Sequence, residues 1–532
     1  MDLAAHGLIP PPARRAVPGS AQTVAELLER PARETPEREA LIGRYARYSY
    51  AELEREVERA ACALLKLGLR PGDRMAASIG NHTEIAVSFL ASQRIGVLWV
   101  GVNRVLAPPE KAFILADSGA RVALADREMH AQLEHLLGEL PGVERLIDAE
   151  PGDPASEWRE RLARETGRTR PRLPIDPFAP AAIAYTSGTT GRPKGAVHSQ
   201  HNMLLPGAIA LHKGRSGPEV TQAVCLPLTI LNLQILGPVL SAQSGSKCVL
   251  IDRMDAPGIA EWVRAERIVS LSSVPATFHD LLTDPEIGPG DLESLTQPGI
   301  GGANCPEEFR RLFKQRFGRE VQIGYGLTEA PTSVTHTDPG QPPVEGCSGF
   351  VHPHQRLLIL DDEGRELPAG ETGEICVAPR EDGPWAGVYT PMLGYWNRPE
   401  ATLEALRGGI LHTGDVGCLD GRGQLFVKDR KTDMILRGGA NVYSAEVERV
   451  LHQDPRVAAC AVLGIPDERL GERVVAAVEL EPGARAEAEE IRTHCRSQLA
   501  RYKVPERVAF VERFPRNAMN KILKRELRGL FE

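Results

Sequence analysis

Tyr185-Thr186-Ser187-Gly188-Thr189-Thr190-Gly191-Arg192-Pro193-Lys194-Gly195 packs three glycines, four aliphatic hydroxyls and one lysine into eleven residues. Glycine lets the main chain bring its N–H groups close to an anion. Hydroxyls add rotatable donors, and lysine adds a positive charge. The combination predicts a loop that closes over a polyphosphate. It is not a P-loop, which runs Gly, four residues, then Gly-Lys-Ser/Thr into a helix. Here Arg192 and Pro193 separate Gly191 from Lys194, and Ala196-Val197-His198-Ser199 reads as a short strand. The apolar run at 181–184 reads as the strand before the loop.

Working outward, strands alternate with helices. Ser49-Tyr50-Ala51-Glu52 has capping-box spacing, and Leu53, Val57, Ala60, Ala61, Leu64 and Leu65 fall on one helical face. Strands are predicted at 74–79, 96–102 and 121–125, with a helix over 83–94. Further strands are predicted at 224–228, 247–251 and 268–274. This alternation predicts an α/β fold with mostly parallel sheets. Gly299–Ala303 and Gln322–Glu329 put small residues at the ends of apolar runs, where ligands bind in open α/β sheets. Residues 1–20 read as a loose arm and 151–177 as a charged surface excursion. Residues 346–429 read as β-rich, with short strands and tight turns, and the last hundred residues as a compact α+β domain.

A net charge of -8 over 532 residues argues against general nucleic-acid binding, which needs a basic face. The longest strongly apolar stretch, near 95–102, is far short of the ~20 residues that span a bilayer. The opening 19 residues lack a secretory apolar core. Nine scattered cysteines without a Cys-x-x-Cys pair predict reduced thiols, no structural zinc and a cytoplasmic setting.

Several motifs together carry a resemblance. Residues 185–195 resemble the phosphate loop of the adenylate-forming superfamily, which includes acyl-CoA and aryl-CoA ligases, peptide-synthetase adenylation domains and firefly-type luciferases. Tyr325-Gly326-Leu327-Thr328-Glu329 resembles its Tyr-Gly-x-Thr-Glu element, and His412-Thr413-Gly414-Asp415 its Thr-Gly-Asp element. Asp429-Arg430-Lys431-Thr432-Asp433 with Arg437-Gly438-Gly439 resembles the hinge and the loop beyond it. Gly394-Tyr395-Trp396-Asn397-Arg398-Pro399-Glu400 and Asn520-Lys521-Ile522-Leu523-Lys524 complete the set, in family order. The resemblance implies a large N-terminal domain (1–429) of packed, mostly parallel sheets with a β-barrel subdomain (about 346–429). A small mobile α+β domain (430–532) follows, with its hinge near 430–433.

It also implies a reaction: acid, ATP and CoA give acyl-CoA, AMP and pyrophosphate through an acyl-adenylate. ATP, Mg²⁺ and CoA are the implied cofactors. Thr186, Ser187, Gly188, Thr189, Thr190, Gly191 and Lys194 would surround the β- and γ-phosphates. Thr328 would hold the α-phosphate, and Glu329 would ligate magnesium. Tyr325 and Gly326 would lie beside the adenine, with Gly302 and Ala303 giving the base room. Asp415 would accept from the ribose hydroxyls, Arg430 would donate to ribose or phosphate, and Lys521 would reach both the acid and the α-phosphate. After rotation of the small domain, Arg437, Gly438 and Gly439 would line the pantetheine channel. Thr229, Leu231, Asn232, Leu233, Gly301 and Ala303 would line an acid pocket that is apolar and nearly uncharged. No Asp falls in 226–234 to face an ammonium, so a hydrophobic acyl, aryl or alicyclic acid is expected.

Three positions depart from the pattern. Pro227-Leu228-Thr229-Ile230 lacks the aromatic and histidine common in CoA ligases, Thr432 replaces a hinge Asp or Lys, and Asn520 replaces a glycine. The alternatives carried are a stand-alone acyl-AMP ligase that loads a carrier protein, an enzyme performing mainly one half-reaction, and, last, a non-catalytic nucleotide binder. The resemblance leaves room for a homodimer. His198, His212 and His412 are expected to be structural.

Overall fold

Ser49 starts the long helix Tyr50–Lys66 with a complete capping box: its hydroxyl accepts from Glu52 N, and the Glu52 carboxylate accepts from Ser49 N at 2.8 Å. The apolar stripe of this helix is buried as its spacing predicts; Val57, Ala60, Ala61 and Leu64 are solvent-free. Such local signals recur along a computed structural model. It describes the whole chain except residues 1, 137, 139–141, 187–192, 302–304, 306, 338–343, 432, 438–439, 468, 518–520 and 532. The chain falls into two compact units. The first comprises Met1–Pro342, Gly349–Leu357 and Val377–His412; the second comprises Pro343–Ser348, Leu358–Cys376 and Thr413–Glu532.

The first unit is built on two largely parallel sheets. One has the order Gly394–Tyr395, Lys194–Ser199, Pro180–Thr186, Leu98–Gly101, Arg74–Ser78, Val122–Ala125, Arg145–Asp148. Its last five strands are parallel, and the first two are antiparallel additions. The other carries the parallel run Gln322–Tyr325, Gln297–Gly301, Ser270–Ser273, Thr221–Val224, Lys247–Leu250, Glu39–Ile42. Strands buried on both faces need continuous apolar runs, and Val122–Ala125 is buried throughout.

Across 346–429 the strands Gln355–Leu360, Gly373–Pro379, Leu411–Leu419 and Gln424–Arg430 lie in that order. The expected β-rich texture is present, but among the described residues this order is open and no pair closes it into a barrel. In the second unit, Ile435–Arg437 lies between Ala440–Val442 and Gly471–Leu480, and Gly471–Leu480 also pairs with Val457–Asp467 and Arg507–Phe510. Helices Ser444–Leu451 and Ala488–Gln498 supply residues to one apolar cluster of this sheet, and Phe514, Leu527 and Phe531 belong to a second. This is the predicted α+β region.

Three readings of the sequence need correction. The strand predicted at 224–228 ends at Val224. Asn81 takes over beyond it: its amide donates to the carbonyls of Cys225, Leu226 and Ile251, and its oxygen accepts from Leu228 N at 2.9 Å. The first 20 residues are no loose arm, since Val17 is 1% exposed, His6 stacks on Trp396 at 4.0 Å and His6 Nδ1 meets Asn397 Oδ1 at 2.9 Å. The stretch 151–177 is more than an excursion. It forms the helix Glu157–Arg164, which buries Trp158 completely and sets Arg159 against Glu56 at 2.8 Å and Glu84 at 2.5 Å. Trp158→Ala is expected to destabilise this unit by about 3–5 kcal/mol through the cavity it leaves. Urea unfolding checks this, and a loss below ~1 kcal/mol would contradict the packing role.

Candidate active site

Two paired strands flank the phosphate-loop candidate. Pro180–Thr186 and Lys194–Ser199 pair antiparallel, with Tyr185 opposite Gly195 and Thr186 opposite Lys194. The run after the loop is thus a strand, as expected. Gly195 is required: a Cβ there would lie 2.6 Å from the Ile183 side chain. Ser187, Gly188, Thr189, Thr190 and Gly191 lie outside the described residues; their anchors do not. On one arm, Tyr185 donates to Asp117 Oδ2 at 2.8 Å, and burial pushes its hydroxyl above the ordinary phenol range. Asp117 in turn holds Arg398 at 2.7 Å. On the other arm, Gly394–Tyr395 pairs with Ala196 and Val197, and Trp396 N donates to Gly195 O at 2.8 Å.

Topology brings the other first-unit residues to one edge. Thr221–Val224, Ser270–Ser273, Gln297–Gly301 and Gln322–Tyr325 are consecutive parallel neighbours. The segments that leave their carboxyl ends therefore converge, as at ligand crevices of open α/β sheets. These segments carry Thr229, Leu231, Asn232 and Leu233, then Gly301, then Gly326, Thr328 and Glu329. The first also reaches the other sheet, because a Cβ on Gly101 would fall 1.7 Å from Thr229 O. Thr229, Leu231 and Leu233 are buried, and the short helix Leu231–Gln234 runs into a π-turn, Ile235–Val239, that contains Pro238. Gly326 is equally constrained, with Thr332 O 1.7 Å from a hypothetical Cβ, and Thr332 itself has φ +71°. Gly302 and Ala303 lie outside the described residues.

Glu329 and Lys194 meet on one tyrosine. Tyr395 donates its hydroxyl to Glu329 Oε1 at 2.8 Å, and Lys194 Nζ lies 5.2 Å from the centre of the same ring. Met392 N donates to Glu329 O at 2.9 Å, fixing the backbone as well. A carboxylate with one oxygen oriented by a phenol is a hard donor that fits magnesium, which takes one or two carboxylates beside phosphate and water. Tyr395 was quoted in the sequence only as part of a motif. Its contact with Glu329 spans 66 residues, and no local pattern signals it.

In the second unit, Asp415 and Arg430 are directly paired across adjacent strands, Arg430 Nε lying 3.6 Å from Asp415 Oδ1. Gly414 has φ +72°, and Thr413 donates to Ile375 O at 2.7 Å while accepting from Asp415 N. The Thr-Gly-Asp element therefore lies within the strand Leu411–Leu419, with the Thr413 hydroxyl bridging Ile375 O and Asp415 N. Arg437 pairs with Ala440 on the neighbouring strand; its guanidinium donates to Tyr502 O and pairs with Glu506. Gly438 and Gly439 lie outside the described residues, as do Thr432 and Asn520. Lys521 is tied to Asn517: Asn517 N donates to Lys521 O at 2.8 Å and Lys521 N to Asn517 Oδ1 at 2.9 Å.

Lys524 was missed as a structural residue. It contacts Ser444 Oγ and Glu448 Oε1, both at 2.7 Å. Burial pulls its ammonium down, but Glu448, Asp433 and Asp429 outweigh it and hold the lysine above its ordinary range. Asp429 accepts from Ser444 N and Oγ at the start of the helix Ser444–Leu451, which with the Lys524–Ser444 contact ties the strand Gln424–Arg430 to the segment that follows Lys521.

The fold and this residue set define an adenylate-forming ligase. A profile of the AMP-binding enzyme family matches residues 28–396, and a profile of the AMP-binding enzyme C-terminal domain matches 446–521. Feruloyl-CoA synthase from an Amycolatopsis species is 35% identical over 486 residues, covering 91% of this chain and 94% of that one. Indoleacetate–CoA ligase from Aromatoleum aromaticum is 35% identical over 490 residues, covering 91% and 93%. The crystal structure of ATP-bound MatB from Rhodopseudomonas palustris superposes with a TM-score of 0.86 at 27% identity, covering 95% and 99%. The chain belongs to the AMP-binding enzyme family. ATP, Mg²⁺ and CoA are the cofactors of its adenylate-forming CoA ligases. No helix among the described residues is long and apolar enough to cross a membrane.

His198, on the second hairpin strand beside the Thr328 backbone and Asn202, is fully buried, and burial pushes it down to about 4. It is a neutral packing residue, not a phosphate cation. Burial likewise lowers His82, His201, His352, His354 and His452. As pH falls below about 6.5, the unfolded chain takes up protons that these folded imidazoles refuse. The unfolding free energy in urea is therefore expected to fall steadily from about pH 7.5 to about pH 5.5, where carboxylates stay ionised in both states. A flat or rising profile would contradict their burial as neutral groups.

Proposed function

We propose that this protein activates a hydrophobic aryl or acyl carboxylic acid with ATP and passes the acyl group to CoA. The observation that carries this reading is the meeting of Lys194, Tyr395 and Glu329 beside the base of the hydroxyl- and glycine-rich hairpin. Attack of the carboxylate on the α-phosphorus builds charge on phosphate oxygens, so fixed donors and cations dominate the rate. In this reading Thr186 and Lys194 bind the β- and γ-phosphates, together with Ser187, Gly188, Thr189, Thr190 and Gly191. Thr328 binds the α-phosphate, and Glu329 holds magnesium, which when bound neutralises the departing pyrophosphate. Tyr325, Gly326, Gly302 and Ala303 seat the adenine; Asp415 and Arg430 orient the ribose.

Lys521 brings the acid and the α-phosphate together, offsetting their repulsion. The proposal keeps residues 430–532 as a mobile domain with its hinge near 430–433. Arg437, already held by Glu506, would line the pantetheine channel together with Gly438 and Gly439. Thr229, Leu231, Asn232, Leu233, Gly301 and Ala303 form the acid pocket. The buried apolar side chains at 231 and 233 support a hydrophobic acid, as do the aryl acids in the names of the two relatives. A carrier protein in place of CoA, homodimer formation and a cytoplasmic location remain subsidiary proposals.

Incubation with ATP, Mg²⁺, CoA and a mixed carboxylic-acid library, read by mass spectrometry, is expected to give aryl- or acyl-CoA with AMP and pyrophosphate. A product only with a holo-carrier protein would move the acceptor to the carrier; no product with either would sink the reading. Lys521→Ala is expected to depress adenylation by at least about 100-fold, since misplaced reacting groups cost that much. Thioester formation from a supplied acyl-adenylate should be spared. Equal losses in both half-reactions would remove Lys521 from the assigned role.

A further inference from the structure

Tyr395 touches two residues that the proposed chemistry needs, yet it is no ligand to either nucleotide or metal in that scheme. We propose that Tyr395 is the positioning residue that sets both the magnesium carboxylate and the phosphate-loop lysine. This rests on the reading of Glu329 as the metal ligand and Lys194 as a phosphate cation.

The hydroxyl and the ring do separate work. The hydroxyl donates to Glu329 Oε1 at 2.8 Å, which selects one rotamer of a flexible carboxylate and presents its second oxygen. Partners of this kind orient metal ligands and raise metal affinity. The ring places its negative face toward the Lys194 ammonium at 5.2 Å, limiting where a long side chain can go.

Tyr395 is itself held from several directions. Its N–H donates to Thr402 Oγ1 at 2.9 Å, and it pairs with Ala196 in the sheet. The next residue, Trp396, is stacked on His6 and donates from Nε1 to Asp117 O at 3.1 Å. Arg398 is clamped by Asp117, the same carboxylate that anchors Tyr185. One rigid segment therefore fixes both hairpin arms, the lysine and the carboxylate, and the amino-terminal arm stacks on it.

Calorimetric binding of ATP to the full-length protein, across a Mg²⁺ series and in EDTA, tests the assignment without turnover. Tyr395→Phe keeps the ring and loses the donor. It should raise the half-saturating Mg²⁺ by about tenfold while leaving binding in EDTA within about twofold of wild type. Tyr395→Leu loses the ring too and should also weaken binding in EDTA by about threefold. Preserved binding of Tyr395→Phe in EDTA doubles as the test that the site is folded; its collapse there would mean a packing role and overturn the proposal. Glu329→Gln is the reference. If it shifts the Mg²⁺ dependence and Tyr395→Phe does not, the positioning role is wrong and the metal-ligand reading stands. If Glu329→Gln shifts nothing, the metal-ligand reading fails and takes the proposal with it. Equal binding of Phe and Leu variants in EDTA would overturn the lysine half.

Discussion

The antiparallel register that sets Tyr185 against Gly195 and Thr186 against Lys194 is the constraint on which the proposed phosphate site depends. A loop rich in glycine and hydroxyls has little preference of its own, and its glycines lose the most conformational entropy on ordering. It binds polyphosphate usefully only if its two ends are fixed elsewhere. The hairpin fixes them. Its first strand is parallel to Leu98–Gly101 in the sheet interior, and its second is covered by Gly394–Tyr395. A one-residue slip would turn every side chain to the opposite face and move Lys194 off Tyr395.

The second unit uses charge where the first uses pleat. Asp429 is drawn into a buried position that raises its carboxyl, offset by Lys524 and by donors from Arg430 N and Ser444. Burial of one charge is costly unless partners surround it. Here Lys524, Glu448 and Asp429 share that burden and link the strand Gln424–Arg430 to the chain that carries Lys521. Asp415 and Arg430 face each other on neighbouring strands of the same unit, so the two ribose candidates are set by one pairing.

Local chemistry was legible in the sequence and distant contacts were not. The Ser49 cap and the helix Thr83–Arg94 come from patterns a few residues long, and both stand where the spacing put them. The strand after the phosphate-loop candidate was legible because Ala196-Val197-His198-Ser199 reads as a short strand, and Lys194–Ser199 is one. The arm at 1–20 and the stretch at 151–177 were misread because dense proline and charge mask the few residues that matter, Leu8, Val17, Trp158 and Leu162, all buried. The early end of the strand at Val224 is set by Asn81, which is distant in sequence. Tyr395 and Lys524 belong to the same class: each acts through a partner 66 or 80 residues away. The seating of Thr229 was not legible, because it depends on Gly101 admitting the Thr229 carbonyl, a contact between two sheets.

Acid-dependent exchange of labelled pyrophosphate into ATP, with Mg²⁺ and without any thiol, tests the central claim most directly. It isolates the adenylation step, to which the proposal assigns the hairpin, Thr328 and Glu329, and does not depend on the acyl acceptor. The account predicts exchange that requires a hydrophobic carboxylic acid and is lost with Lys194→Ala. Absence of exchange with every acid, or exchange that persists without acid, would contradict it.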